Sequence, residues 1–192
     1  ADLDTALFVA PPVPADLGQP MRRSDAGSRG CGAGEATELA SRPVTALVPA
    51  YEASASAVFS QTAAPQPVLW VYLPFNVPVT GILAFEEAAT QSVYEGTFTT
   101  SGTPGVMRLQ PDTPLPWREG DRYRWFVILN CQSTADYVLE GWVERAAIAA
   151  DTAPATLADQ VKYYGQQGLW HEALSVAAAA APEQWGQLLT VI

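Results

Sequence analysis

The side chains that most often carry out acid–base or metal chemistry are scarce in this sequence. It has one histidine, His171, and two cysteines among 192 residues. A structural zinc site needs four such ligands, and a Ser-His-Asp triad needs a nucleophile signal such as GxSxG, which the sequence lacks. His171 lies at the predicted start of a helix, where a surface or capping histidine is common. We therefore predict no metal, no cofactor and no enzymatic activity, and only small stability changes for His171→Ala.

Two other patterns resemble catalytic motifs superficially. Glu86 and Glu87 are adjacent carboxylates, but neighbouring residues on a strand point to opposite faces, so they cannot act on one substrate together. The glycine-rich stretch 27–34 lacks the lysine of a P-loop and follows no predicted strand. We interpret the carboxylate pair as part of a solvated hairpin turn and the glycine-rich stretch as a flexible linker.

Aromatic residues are enriched in residues 43–150 and could form a platform for stacking on sugars. Most of them alternate with aliphatic residues at a period of two, which is typical of the core of a β-sandwich. Trp117 differs because it follows Pro114 and Pro116 in a proline-rich connection, where we expect it to be exposed. Trp117 is therefore the candidate residue for stacking on a glycan.

Charge and composition exclude several classes of partner. The sequence has ten basic and twenty acidic residues, a net charge of −10, whereas nucleic acid and anionic membrane surfaces attract a positive footprint. No apolar run reaches the roughly 18 residues that a membrane-spanning helix needs. The chain begins with Ala1, as a protein does after removal of a signal peptide, although a chain trimmed for expression begins in the same way.

Composition divides the chain into three predicted units. Residues 1–42 are rich in proline and glycine and predict an extended N-terminal arm. Residues 43–150 predict a mainly β, antiparallel, immunoglobulin-like β-sandwich, with a barrel as the alternative. Residues 151–192 carry apolar residues at helical spacing and predict a C-terminal helical hairpin packed on the sandwich. Asp151 and Thr152 ahead of Pro154 are the first candidates for the helix start, and Thr156 is a second candidate cap. The seven predicted strands are 44–49, 68–73, 81–86, 92–100, 106–109, 122–129 and 136–145.

The two cysteines, Cys31 and Cys131, add to the argument for export. They lie 100 positions apart without a CxxC motif, which is typical of a structural disulfide in an exported protein. Two unrelated reduced thiols are the alternative. A Cys31–Cys131 disulfide would fasten the arm to the sandwich.

Six strings of the sequence together resemble a known family. This is a cyanobacterial family of exported proteins that is known only as a domain of unknown function, and the resemblance covers about residues 27–190. It implies a secreted or periplasmic location, which supports the disulfide, and it implies no catalytic residues. The strings are 44–49, 69–74, 104–106, 123–125 followed by Cys131, 140–145 and 168–174.

We predict a non-enzymatic, exported structural protein that forms a cell-surface filament or homo-oligomer. Leu7, Phe8 and Val9 form the apolar cluster of the arm ahead of a proline pair. The segment Thr5–Val13 is predicted to insert as a strand into a neighbouring subunit, because a sandwich with an open edge can template such a strand.

Two alternatives to this prediction stay open. The arm could lie across its own domain as an ordinary first strand. The protein could also be a monomeric periplasmic or surface binding module for a glycan or a protein, with Trp117 as its stacking residue.

Overall fold

The fold is described from a computed structural model. It describes residues 6–18, 21–25, 42–51, 57–87, 91–131, 136–148 and 153–192. Cys31 and the glycine-rich stretch 27–34 lie outside these ranges, as does Thr5 at the start of the predicted donor segment. Statements about those residues therefore stay predictions.

Within the described residues, ten strands form two sheets, which confirms the mainly β, sandwich-like architecture. The four-stranded sheet has the order β1-β2-β5-β8, and the six-stranded sheet has the order β3-β4-β10-β9-β6-β7. The strands are β1 Ser24–Asp25, β2 Val44–Ala46, β3 Ala50–Tyr51, β4 Ala57–Thr62, β5 Leu69–Leu73, β6 Thr80–Glu87, β7 Ser92–Thr99, β8 Gly105–Leu109, β9 Arg122–Asn130 and β10 Tyr137–Arg145.

Alternation of residue types determines which side chains enter the core between the sheets. In β9, Tyr123, Trp125, Val127 and Leu129 are all buried, while the residues between them are partly exposed. This confirms the predicted apolar face of that strand. Inward-facing residues of the four-stranded sheet, such as Val71, complete the same core.

Strand β4 is the main element that the sequence did not predict, and it makes one sheet mixed. It runs parallel to β10, pairing Phe59 with Trp142 and Thr62 with Arg145. The prediction of purely antiparallel sheets is therefore wrong for this pair. Five of the six residues of β4 are buried, so the strand shows no alternation of apolar and polar residues that could reveal it.

Three helices follow the strands: α1 Leu157–Gln166, α2 Trp170–Ala180 and α3 Pro182–Leu189. The side chain of Thr156 caps α1 by accepting a hydrogen bond from the backbone N–H of Asp159. No helix in the part of the chain that the structure describes is long and apolar enough to cross a membrane.

Helix α2 packs against residues of both sheets. The indole Nε1 of Trp170 donates to the carbonyl of Leu47, after β2, at 2.8 Å. The indole Nε1 of Trp70, in β5, donates to the Ser175 hydroxyl at 3.2 Å. The Trp70 ring also meets the Trp185 ring of α3 edge to face at 5.5 Å. The buried Trp170 and the partly buried Trp70 and Trp185 thus join the helices to the sandwich.

The described part of the arm packs on its own chain. Phe8 is buried and meets Trp170 edge to face, with ring centroids 5.1 Å apart. The backbone N–H of Val9 donates to the carbonyl of Gly165 in α1 at 2.9 Å. Residues 6–18 contain no strand, so this part of the arm lies over its own domain without joining a sheet. Later in the arm, Ser24–Asp25 form β1, which pairs with β2.

A second, smaller apolar cluster holds the later part of the arm. Leu17 packs with Ala57 and Phe59 of β4, and Trp142 of the neighbouring strand β10 packs against the same cluster. The Trp142 indole donates to the carbonyl of Leu17 at 3.0 Å. This part of the arm therefore packs on its own domain.

Candidate functional site: a buried Ser–His pair and two open sheet edges

A serine and the single histidine form a hydrogen-bonded pair inside the protein. The Ser60 hydroxyl of β4 lies 2.7 Å from Nε2 of His171, which is in the first turn of α2. The other ring nitrogen, Nδ1, lies 2.7 Å from the carbonyl of Val68. A carbonyl can only accept, so Nδ1 carries the hydrogen and Nε2 accepts from Ser60 when the ring is neutral.

The pair is enclosed, and its geometry serves to dock α2. His171 is 3% exposed and Ser60 is 2% exposed. The prediction of a surface or capping histidine is therefore wrong. Each hydrogen bond joins α2 to a separate segment of the sandwich, β4 or the residue before β5. A Ser–His pair can serve as nucleophile and base in other proteins, but here neither side chain faces solvent.

Glu172, the residue after His171, makes further hydrogen bonds next to the Ser60–His171 pair. One carboxylate oxygen, Oε1, accepts hydrogen bonds from the Thr62 hydroxyl and from the backbone N–H of Ala63. The other oxygen, Oε2, is buried without a hydrogen-bond partner in the described structure. Burial raises the pKa of Glu172, although the hydrogen bonds from Thr62 and the backbone act in the opposite direction.

The buried histidine should make stability depend on pH. Burial lowers the pKa of His171 to about 4, with a smaller opposing effect from the Val68 hydrogen bond. The unfolded chain, with a pKa near 6.5, binds the proton more readily, so lowering the pH from about 6.5 to about 4 should cost on the order of 3 kcal/mol. Glu172 acts in the other direction, because its raised pKa favours the folded state only while the carboxyl is protonated.

Urea unfolding between pH 4 and pH 7 tests this, with His171→Gln as the reference. The glutamine amide can still accept from Ser60 but does not titrate, and Glu172 is present in both proteins. The difference in unfolding free energy between the parent and His171→Gln should therefore shift in favour of the parent as the pH rises. Parallel curves for the two proteins would contradict the assignment of a neutral buried histidine.

The two sheets end close together at β7 and β8. β7 is the last strand of the six-stranded sheet, and β8 is the last strand of the four-stranded sheet. Within the described residues each pairs on one side only, β7 with β6 and β8 with β5. The opposite edges, β1 and β3, are two residues long. The open sides of β7 and β8 therefore present the longer rows of backbone groups that a further strand can pair with.

A groove of about 510 Å³ lies where these two edges meet. It is lined by Thr99 of β7, the connecting loop, the β8 residues Gly105–Arg108, and Leu73 and Phe75. Val106, in β8, is 46% exposed. The groove thus combines an apolar floor with an open strand edge.

The loop between β7 and β8 is held in place by its contacts. The backbone N–H of Thr100 donates to the carbonyl of Val79 at 2.9 Å, and the Val79 N–H donates to the Thr100 hydroxyl at 2.8 Å. Gly102 has φ +81°, where glycine is favoured, and a Cβ there would lie 3.0 Å from the Pro78 ring. These contacts hold one wall of the groove in place without a bound partner.

Among the described residues that line the groove, Arg108 is the only charged one. It is exposed and belongs to none of the ion pairs found in the described part of the chain. In a protein with a net charge of −10, this gives the groove a local positive charge.

The residues proposed from the sequence do not gather at one site. Trp117 is 3% exposed, stacks on Tyr123 at 5.3 Å between ring centroids, and donates from its indole to the carbonyl of Pro65. The expectation that Trp117 is exposed is therefore wrong, since proline-rich connections can also fold over a core. In this position its ring cannot stack on a glycan.

The other proposed residues divide between the helices and the end of β9. Phe8 lies on Trp170, and Val9 is 49% exposed beside α1. Cys131 is buried directly after β9, while Cys31 lies outside the described residues, so their pairing stays a prediction. The Thr103-Pro104-Gly105 turn, which lines part of the groove, was predictable from the sequence, but the groove itself was not.

One family matches most of the chain. Residues 24–191 match the model of a family described as Domain of Unknown Function (DUF928). The match includes every strand and helix of the described fold and leaves out the first 23 residues. A comparison with curated proteins finds no match.

Proposed function

We propose a function that rests on the open edges of the two sheets. The chain belongs to the DUF928 family, whose description names no activity. The protein is a non-enzymatic structural protein of the cell exterior that assembles with further copies of itself by accepting an extended strand at β8. Export, a cyanobacterial source, an immunoglobulin-like relationship and the Cys31–Cys131 disulfide belong to this proposal.

The unpaired edge of β8 beside a preformed groove is the observation that supports it. Exposed edges in monomeric proteins are usually short, charged or interrupted. β7 carries Glu95 and pairs irregularly with β6 near Phe85, so it is partly protected in this way. β8 instead presents Val106 at 46% exposure near its centre. An added strand would bury that side chain and pair with the unpaired backbone groups.

The contacts of the arm bear on which segment is donated. Donation of Leu7, Phe8 and Val9, as the sequence suggested, would require Phe8 to leave its buried position on Trp170. Removing a buried phenylalanine side chain from its site costs about 3 kcal/mol or more. The packed arm therefore favours the alternative in which these three residues stay on their own domain, and the donated strand is sought elsewhere.

Three exposed valines provide a matched test of the accepting edge. Val106, Val9 and Val191 are 46%, 49% and 48% exposed, so lysine at each position should disturb folding little. Sedimentation velocity of the parent over a wide concentration range should show association that is lost in Val106→Lys and retained in Val9→Lys and Val191→Lys. A lysine at the edge opposes strand addition by its charge and its solvation.

Other outcomes of the same experiment would overturn the proposal. A parent that stays monomeric at the highest concentration would remove self-assembly. Loss of association in Val9→Lys with association intact in Val106→Lys would instead support donation of the arm. Equal behaviour of all three variants would show that the β8 edge is not the contact.

A further inference from the structure

The charge in the groove indicates which strand it accepts. We infer, on the basis of the proposed function, that the groove takes residues 1–5 of a second copy as an extended strand along β8, with Asp2 and Asp4 directed towards Arg108. The proposal identifies a partner surface and makes Arg108 its specificity-determining residue.

The chemistry of the groove argues for an extended and acidic occupant. Backbone groups at a strand edge pair with another extended backbone, which excludes a helix or a glycan as the main contact. Arg108 is exposed, lies in the lining, and has no ion-pair partner within the described residues. The described residues of the lining include no acidic side chain, so a carboxylate from the occupant is the complementary group.

The sequence of this chain contains a segment with that pattern. Residues 1–5 read Ala-Asp-Leu-Asp-Thr, so Asp2 and Asp4 are two positions apart and would point to the same face of an extended strand. Leu3 would point to the other face.

In this proposal the segment comes from a second copy, as the proposed self-assembly requires. Phe8 and Val9 are held on α2 and α1 of their own chain. The segment 1–5 is therefore attached to a part of the arm that is packed on the domain. A contact between the segment of one copy and β8 of the next is heterologous, and heterologous contacts that do not close produce filaments. This arrangement keeps Phe8 buried while strands are exchanged.

A synthetic peptide of residues 1–9 tests the inference against the full chain. Its binding is measured by isothermal titration calorimetry to the parent and to Arg108→Glu, with Arg118→Glu as control. Arg118 is also exposed, outside the groove and free of ion pairs in the described structure, so both variants change the net charge equally. Arg108→Glu should weaken binding about tenfold more than Arg118→Glu, because both aspartates then face a like charge.

A charge exchange provides the second readout. A peptide with lysine at positions 2 and 4 should bind Arg108→Glu more tightly than it binds the parent. Equal weakening by Arg108→Glu and Arg118→Glu, or no recovery in the exchange, would overturn the role of Arg108. The protein variants change exposed side chains, and far-ultraviolet circular dichroism confirms that each is folded before titration.

The design separates failure of this inference from failure of the proposed function. If the parent does not bind the peptide but Val106→Lys still abolishes self-association, the accepting edge stands and the occupant is wrong. If Val106→Lys both binds the peptide and self-associates as Val191→Lys does, the edge itself is not the site, and both proposals fail.

Discussion

Replacing His171 by alanine should lower the free energy of unfolding by about 3 kcal/mol. The ring makes two buried hydrogen bonds, to the Ser60 hydroxyl and to the Val68 carbonyl, each at 2.7 Å. Alanine would leave both groups buried without their partner, and it would open a cavity between α2 and β4. This effect is far larger than the small change that the sequence predicted for a surface histidine.

Chemical denaturation near pH 7 measures the loss, and three further variants identify its source. His171→Gln should recover part of the stability, because its amide can replace the bond to Ser60. Ser60→Ala should cost less than His171→Ala, since it removes one of the two bonds. Lys162→Ala, at an exposed position of α1, should change stability by less than about 0.5 kcal/mol.

The double variant Ser60→Ala with His171→Ala separates the contribution of the hydrogen-bonded pair to stability from the contribution of the cavity. If the two side chains act as a bonded pair, its destabilisation should be smaller than the sum of the single effects, because the second change removes a group already left unpaired. A His171→Ala protein as stable as Lys162→Ala would contradict the buried position of the ring.

The strands with clear alternation were predictable, and the reasons are local. In β9 and β10 every second residue is apolar, and each of these strands has one face towards the core. The helices were predictable for the same kind of reason, because apolar residues recur at helical spacing. Such patterns indicate which face of an element is buried, whatever other element packs against that face.

The features that carry the site depend on contacts between distant segments. His171 and Ser60 are 111 positions apart, and nothing near either residue indicates that they meet. Trp117 shows the same limit, because its proline-rich surroundings predicted exposure while Tyr123 and Pro65 enclose its ring. Whether β8 is an edge strand depends on which strands pair, and the sequence of one strand does not determine the strand order of a sheet.

Replacing Gly165 by alanine should release the arm from α1 and destabilise the protein by about 2 kcal/mol. A Cβ at this position would lie 2.0 Å from the backbone carbonyl oxygen of Leu7. Because the obstacle is backbone, the arm has to move. It would lose the hydrogen bond from the Val9 N–H to the Gly165 carbonyl and shift Phe8 from its place on Trp170.

Gly186→Ala is the matched control, and it should change stability in the opposite direction. Gly186 lies within α3, and a Cβ there has no neighbour within 4 Å. Alanine is favoured over glycine inside a helix by up to about 1 kcal/mol, so Gly186→Ala should be stabilising. The same helical preference acts at Gly165, so a net loss there measures the contact with the arm.

Phe8→Ala tests whether the destabilisation by Gly165→Ala comes from the arm. It also decides whether the arm packs on its own domain or is donated to a neighbouring copy. The substitution removes the buried ring and should cost about 3 kcal/mol, and Gly165→Ala should add little to it, since both changes free the same segment. Hydrogen exchange at the Val9 amide should become faster in Gly165→Ala and stay unchanged in Gly186→Ala. If Gly165→Ala instead stabilises the monomer as Gly186→Ala does, the arm is not seated on α1, and Leu7, Phe8 and Val9 become available for donation to a neighbouring copy.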